Sequence, residues 1–533
     1  MDTFVKLFLG VVCILQGTFL LKAQKLPNIV IILVDDMGFS DIGCYGGEIP
    51  TPNIDRLAED GVRLTNFYNA GRSCPTRASL LTGLYPHQAG MGFMAGDRYK
   101  DIPAYQGYLN NASVTIGEAM QDSGYFTIMT GKWHVGQKGD GGITPWGRGF
   151  DRSFNTIAGN FYYRDARAQL YLNGRRVRNA ELPENWYTTD LWTSYGLEFI
   201  DEAKKEGKPF LLYLAHNAPH YPLQAPEEEI AKFRGKFMKG WEVLREERYD
   251  RQVKMGIIDK SHALPAINPL IPKWETLSEE EKIRQDDLMA VYAAVISCMD
   301  KSVGDLIEGL KERGEYENTI IMFLSDNGGN SEGGTWGRYI GEKPGAINSH
   351  LSVSQGWAEL NNTPFWLYKR HTSEGGILTP FIMTWPEGMD SNLKGKILPS
   401  VGHLIDIMPT CIEIAKGEYP TIYKGNKISP MEGISLYSLL SGKPVERTKP
   451  LYWEHEGNRA VRHDKWKIVS NVREPWQLYN LETDRTETKD LAKDYPEILS
   501  RMVSDYEDWA DKVGVRPYNY PPKKWQIMQG QQP

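Results

Sequence analysis

The sequence predicts an α/β protein, a large central mixed β-sheet sandwiched by helices, with a smaller C-terminal α+β subdomain built on an antiparallel sheet. Three observations carry this reading. Short unbroken apolar runs, the pattern of strands buried on both faces, recur along the chain, and four of them stop on charged, amide or imidazole side chains. Segments with helical periodicity lie between these runs. After "GISLYSLLSGKPVERTKP" the texture changes to alternating runs joined by tight turns, followed by the amphipathic "YPEILSRMVSDYEDWADKVG".

Residues 1–23 read as a signal peptide: Lys6, an apolar run from about Leu7 to Leu21, then Ala23 as the small residue before cleavage. Gln16, Gly17 and Thr18 interrupt the run and leave it short of the roughly 20 apolar residues a membrane span requires. Export to the periplasm or beyond, without stable membrane insertion, is the expectation. Cys13 falls inside this leader and lacks the small preceding residues of a lipidation site.

The first strand covers Ile29 to Val34 and is closed by Asp35 and Asp36. A second run ends at about Thr130 and leads to Lys132 and His134, and a third ends at about Leu214, ahead of His216 and His220. In a fourth, Ile320 to Leu324 precede Asp326 and Asn327, and "TPFIMTWPEG" supplies a fifth. Ligands of open α/β sheets bind beyond the carboxyl ends of the strands, so four such ends argue for one assembled site. In "LSEEEKIRQDDLMAVYAAVISCMDKSVGDLIEGLKERG", Ser278 and Glu281 form a capping box that opens a crossover helix pair. Stretches 226–276 and 330–364 read as long insertions near the site. The expected division is a catalytic domain over 24–445 and a C-terminal subdomain over 446–533, ending in the extended tail "NYPPKKWQIMQGQQP".

Composition narrows the function. With 533 residues, 41% of them hydrophobic, the chain can bury a sizeable core, and its net charge of −7 offers no basic face for nucleic acid. Beyond the leader, Cys44, Cys74, Cys298 and Cys411 are widely spaced and form neither a disulfide scaffold nor a zinc motif. Asp35, Asp36, Asp326 and Asn327 offer only oxygen, the donor set of a hard divalent cation such as Ca²⁺ or Mg²⁺. Arg77, Lys132, His134, His220 and Lys369 add cations and proton carriers, which suits a tetrahedral anion such as a sulfate monoester beside the metal. His216, His403 and His463 read as ordinary hydrogen-bonding histidines.

The stretch "GRSCPTRASLLTG" resembles the signature of the type I sulfatases of the alkaline phosphatase superfamily, in which a Cys or Ser two places before Pro, followed by x-Arg, becomes formylglycine. The register selects Ser73 and leaves Cys74 at a variable position. Further segments resemble the arylsulfatase-like branch in family order, among them "PNIVIILVDDMGFSDIGCYGGEIPTPNIDRLAEDGVRLTNFY", "TGKWHVG", "APHYPLQAP", "FLSDNGGN" and "YKRHTSEGGILTP". The resemblance implies one Ca²⁺ held by Asp35, Asp36, Asp326 and Asn327, with the modified Ser73 also reaching it. It implies that Arg77 and Lys132 hold the formylglycine and that Lys132 and Lys369 hold the sulfate. His134 would assist turnover of the formylglycine, and His220 with Lys369 would protonate the leaving oxygen. A serine at this position implies a radical-type anaerobic maturase as a partner during biosynthesis. Ile377 and Leu378 depart from the family, where many relatives carry an arginine or similar polar residue.

The expected activity is hydrolysis of a sulfate monoester on a small molecule or glycan, with galactose 3-sulfate as one candidate. Two other readings compete: a phosphate mono- or diesterase of the same superfamily, and an inactive glycan-binding homologue stacking sugars on Phe161, Tyr162, Tyr163 and Trp357. Sugar contacts are expected from the two insertions and from "MGFMAGDRYKDIPAYQGYLN", with Arg98 and Arg338 as candidates.

Overall fold

A computed structural model describes residues 25–518, apart from 97–98, 100, 137–142, 158–160 and 164–167. The leader 1–23, Arg98 and the whole of the expected tail lie outside the described residues. The architecture is built on one ten-stranded sheet with the order β12-β2-β11-β8-β1-β7-β3-β4-β5-β6. Its members are β1 (Asn28–Val34), β2 (Val62–Tyr68), β3 (Phe126–Lys132), β4 (Arg152–Thr156), β5 (Leu170–Leu172), β6 (Arg175–Val177), β7 (Phe210–Ala215), β8 (Thr319–Ser325), β11 (Leu378–Thr384) and β12 (Lys396–His403). The short antiparallel pair β9 (Arg338–Ile340) and β10 (His350–Ser352) stands apart from it.

The apolar runs became the parallel centre of this sheet because helices cover both of its faces. Every residue of β1 is fully buried, and β1 pairs in parallel with β8 on one side and β7 on the other. Strand β11 runs antiparallel between β8 and β2, which makes the sheet mixed. In β3, Gly131 has φ of 106°, and a Cβ there would lie 1.8 Å from the Ala215 carbonyl oxygen. Only glycine permits that approach, which sets the direction in which Lys132 leaves the strand.

The expected crossover helix pair is a single helix, Glu279–Glu312. Its internal glycines do not break it, because they are sites of close approach: a Cβ at Gly304 would meet Asn53 and one at Gly309 would meet Leu197. The capping box forms as read, with the Ser278 hydroxyl accepting from the Glu281 N–H.

The two insertions are more ordered than their composition suggested. Stretch 226–276 contains the helix Gly240–Met255, whose Arg248 is buried and bonds Asp41, Glu48 and the Leu360 carbonyl. Stretch 330–364 contains the β9–β10 pair and the helix Gln355–Asn361. Trp357 on that helix is wholly buried against Trp241, Trp274 and Phe237, so it is a core residue and offers no face to a sugar.

After a two-residue-per-strand hairpin, β13 (Ile422–Tyr423) and β14 (Asn426–Lys427), the chain forms a four-stranded antiparallel sheet. Its strands are β15 (Leu451–His455), β16 (Asn458–His463), β17 (Trp466–Ser470) and β18 (Gln477–Asn480), followed by the helix Pro496–Val513. This sheet grips the segments after β2 and before β11: the Trp453 indole donates to the Asn69 carbonyl at 2.7 Å, and Lys467 pairs with the buried carboxylate of Glu374 at 2.6 Å.

Candidate active site

Four strand ends and one helix start converge beyond the carboxyl edge of the large sheet. Asp35 and Asp36 follow β1, Asp326 and Asn327 follow β8, Lys132 ends β3, and His220 lies past β7. Strand β2 leads through a short turn to Ser73, the first residue of the helix Ser73–Thr82. Side chains far apart in sequence meet because parallel strands bring all their carboxyl ends to one edge.

The groups are buried and densely bonded. Ser73 Oγ donates to Asp326 Oδ2 at 2.7 Å and accepts from Arg77 Nε at 3.2 Å. Arg77 also donates to the Lys132 carbonyl at 2.7 Å and to Asp326 Oδ2 at 3.2 Å, and approaches Asp35 at 3.4 Å. Lys132 Nζ contacts Asp35 Oδ2 at 2.5 Å. Asp36, held in the left-handed region at φ of 69°, accepts from Asn327 Nδ2 at 2.8 Å and pairs with Lys369 Nζ at 2.7 Å. Such a backbone costs about 1 kcal/mol or more and persists only where surrounding bonds impose it.

The donor set fits a hard cation. Asp35 Oδ1 and Asn327 Oδ1 are both buried without a hydrogen-bond partner among the described residues. Two orphaned oxygens facing a cluster of carboxylates are what a bound cation would satisfy. Asp35, Asp36 and His220 present ligand atoms within 4.8 Å of one another, yet the His220 Nδ1 lies 2.6 Å from the Tyr221 carbonyl, which can only accept. That fixes the proton on Nδ1 and leaves Nε2, 3.4 Å from Asp36 Oδ2, as the atom that exchanges protons.

Electrostatics separate the carboxylates. Burial raises the Asp35 carboxyl, but Lys132, His220, Arg77 and Lys369 together hold it well below the ordinary value. Asp326 is pushed upward by burial and by the Asp35 charge, with Arg77 opposing. His134 is held well below the ordinary histidine value by burial, Lys132 and Arg77, so its imidazole stays neutral. Burial pushes His220 down to about 4, against the pull of Asp36.

All ten residues singled out in the sequence lie at this edge. The neighbouring thiol is structural: Cys74 is fully buried, burial pushes its pKa up, and its sulfur accepts the Ala95 N–H at 3.3 Å. His403 caps a turn by accepting the Ile405 N–H at 3.2 Å, but His216 departs from expectation. It is fully buried with no hydrogen-bond partner for either ring nitrogen among the described residues. Tyr162 supports the site from beneath, donating to the His220 carbonyl at 2.8 Å. Arg338 is exposed, with its guanidinium 3.2 Å from His350 Nε2.

Sequence reasoning missed four residues. Asn330 donates to Asp36 Oδ2. Glu332 gathers three cations: Arg72 at 3.0 Å, Lys369 at 3.1 Å, and Arg370. Arg72 immediately precedes residue 73 and Arg370 follows Lys369, so Glu332 ties the turn carrying one to the loop carrying the other. Adjacency to site residues was the available signal, but nothing in the sequence says that these two segments meet.

The family model for sulfatases matches residues 27–417, and a second, the C-terminal model of N-sulphoglucosamine sulphohydrolase, matches 364–511. The chain belongs to the sulfatase family. It is 35% identical to an arylsulfatase of Klebsiella aerogenes, covering 82% of this chain and 97% of that one. It is 33% identical to an uncharacterized sulfatase of Schizosaccharomyces pombe, covering 92% and 95%. A crystal structure of Ps i-CgsB in complex with a neocarrahexaose superposes with a TM-score of 0.69 at 26% identity, over 95% of this chain and 97% of that one. This type I sulfatase is a sulfuric ester hydrolase on the alkaline phosphatase-like fold. Among the described residues, no helix of the sulfatase is long and apolar enough to cross a membrane.

Proposed function

We propose that this sulfatase is an exported carbohydrate sulfatase that works through a formylglycine made from Ser73 and one Ca²⁺, with galactose 3-sulfate among its substrates and arylsulfatase activity on model esters. The observation that carries the reading is the position of Ser73: first residue of a helix, bonded at once to a carboxylate and a guanidinium. Asp35, Asp36, Asp326 and Asn327 would hold the cation, and residue 73 would reach it. An aldehyde at residue 73, hydrated to a geminal diol, would supply one oxygen that attacks sulfur and a second that, on losing its proton, re-forms the C=O and expels sulfate by cleavage of the first C–O bond; a Lewis-acidic cation would favour the nucleophilic form at neutral pH.

The chain's own residues do the rest. Arg77 fixes the orientation of residue 73 through Nε and is itself pinned by three further contacts. The helix N-terminus, Lys132 and Lys369 place positive charge where the sulfate oxygens would lie. Three carboxylates balance Arg77, Lys132 and Lys369, so a divalent cation leaves the pocket net positive for a monoester anion. Neutral His134 can accept a proton. His220 with Lys369 would protonate the leaving oxygen: Nδ1 is anchored to a carbonyl, and Nε2, unprotonated in the free site because burial pushes this histidine down to about 4, would first take up a proton beside the bound anion.

Support for a carbohydrate leaving group comes from the neighbour crystallised with a neocarrahexaose. The test is the mass of the peptide spanning residue 73 in natively produced protein, followed by a screen of sulfated sugars with Ca²⁺ present. Loss of two hydrogens from serine and sulfate release from a sulfated sugar are expected. An unmodified serine in an active enzyme would overturn the mechanism.

A further inference from the structure

A second basic feature lies outside the catalytic constellation. Where the edge of the large sheet at β2 and β12 meets the C-terminal sheet, a cleft of about 520 Å³ opens, and no catalytic or metal-site residue lines it. Five cations face it: Arg447, Lys449, Arg462, Lys465 and Arg485. The carboxylates lining it are Asp464 and Glu482. That is a concentrated positive surface on a chain whose net charge is −7.

What distinguishes the cleft is how its guanidiniums are held. Arg485 donates to two backbone carbonyls, Thr65 at 2.7 Å and Ile257 at 3.3 Å, and lies over the Phe365 ring. Arg462 donates to the Tyr68 hydroxyl and lies over the Tyr68 ring. Among the described residues, neither is hydrogen-bonded to a carboxylate. Carbonyl and hydroxyl partners fix a guanidinium in space without neutralising it, so its charge remains available to an anion in the cleft. Burial pushes Arg485 below its ordinary value; Tyr68 and Glu374 oppose this, and the Arg462 charge adds to it. Both guanidiniums line the same cleft, and an anion bound there would offset the repulsion that the Arg462 charge exerts on Arg485. Arg447 differs, being paired with Asp406. Lys465 is 3.9 Å from Glu482, and Lys449 is exposed with no ion pair among the described residues.

We propose that this cleft is a second binding site, recognising the sulfate groups of an anionic glycan chain and holding the polymer while one of its residues is desulfated at the catalytic site. The choice of glycan rests on the carbohydrate-sulfatase reading; the anion site itself does not. Lys449 and Lys465 lie at the outer, solvated part of the cleft, so Lys449→Glu with Lys465→Glu reverses its charge without disturbing a buried contact.

The experiment compares this double variant with the wild type in full-length matured enzyme, using a sulfated galactan polymer and 4-nitrophenyl sulfate. A KM for the polymer raised about tenfold, with kcat and KM for the aryl ester unchanged, is the expected result. A polymer KM that stays the same, or one that changes only in step with the aryl ester, would overturn the proposal. Calorimetry on Ser73→Ala protein at low salt separates this failure from failure of the catalytic reading. A sulfated galactan octasaccharide should bind it, more weakly after the charge reversal, while the desulfated octasaccharide should not bind. Sodium sulfate binding as tightly as the octasaccharide would show a free-anion site and overturn the glycan assignment.

Discussion

Replacing Glu332 by Gln tests the electrostatic design of the site most directly. Glu332 Oε1 accepts from Arg370 and is ion-paired with Arg72, and Oε2 accepts from Lys369; the side chain is only 14% exposed. Gln keeps the shape but removes the charge, and its amide nitrogen must face a cation on one side or the other. Either the arginine pair or Lys369 therefore loses its acceptor. Breaking a buried ion pair by removing one partner costs about 3–5 kcal/mol, and with partial exposure and one surviving acceptor the lower end, about 3 kcal/mol, is expected here. Because Arg72 and Lys369 flank the reaction centre, misplacement should also cost about 10²-fold in kcat. Urea unfolding would read the first quantity, and turnover of an aryl sulfate the second. Burial raises the Glu332 carboxyl, but Arg72, Lys369 and Arg370 hold it well below the ordinary value. Its contribution is therefore present above the unfolded glutamate pKa and lost as pH falls below it, so the gap between wild type and Glu332→Gln should close in acid. Equal stability at neutral pH together with kcat within twofold would refute the reasoning.

Further outcomes are expected. Cys74→Ala should leave formylglycine formation and kcat within about twofold, because the thiol is buried and bonded away from the site; peptide mass and turnover check this, and the small cavity should cost about 1 kcal/mol. Removing Ca²⁺ with a chelator should abolish activity and lower the thermal midpoint, with both restored by Ca²⁺, since a cation present at 100 times its Kd contributes about 2.7 kcal/mol. His134→Ala should lower kcat by about 10²–10⁴, and in the wild type, with His134 held low, kcat/KM should stay flat through about pH 6.5 before falling in acid. Burial holds His216 at about 3, so below the ordinary histidine value the unfolded chain takes up a proton that the folded one does not. Stability should fall with decreasing pH, and His216→Leu should remove about 2 kcal/mol of the difference between about pH 7 and pH 5 in urea titrations.

Much of the scaffold was legible because burial on both faces of a sheet demands unbroken apolar sequence. Ile29 to Val34, Ile320 to Leu324 and the run ending near Leu214 each became a central strand. Helix continuity was harder to read: the expected crossover pair is one helix, and its glycines 304 and 309 sit at contacts with Asn53 and Leu197 that only the fold reveals. Trp357, a sugar platform in the competing glycan-binding reading, proves to be core for the same reason. An aromatic residue in a polar stretch looks exposed until a neighbouring helix covers it, here the one carrying Trp241.

The sequence by itself determined the chemistry available: which strand ends carry oxygen donors, which positions carry cations, and which serine stands in the modification register. These are local properties, set by residue type and by the rule that polar side chains terminate buried strands. Tertiary structure alone decided the partnerships. Glu332 meets Arg72 and Lys369 across 260 and 37 residues of chain, Trp453 reaches back to Asn69, and Arg462 and Arg485 come to share one cleft. Contacts over such separations depend on strand order and loop packing, which follow from the energy of the whole core and leave no short pattern in the chain.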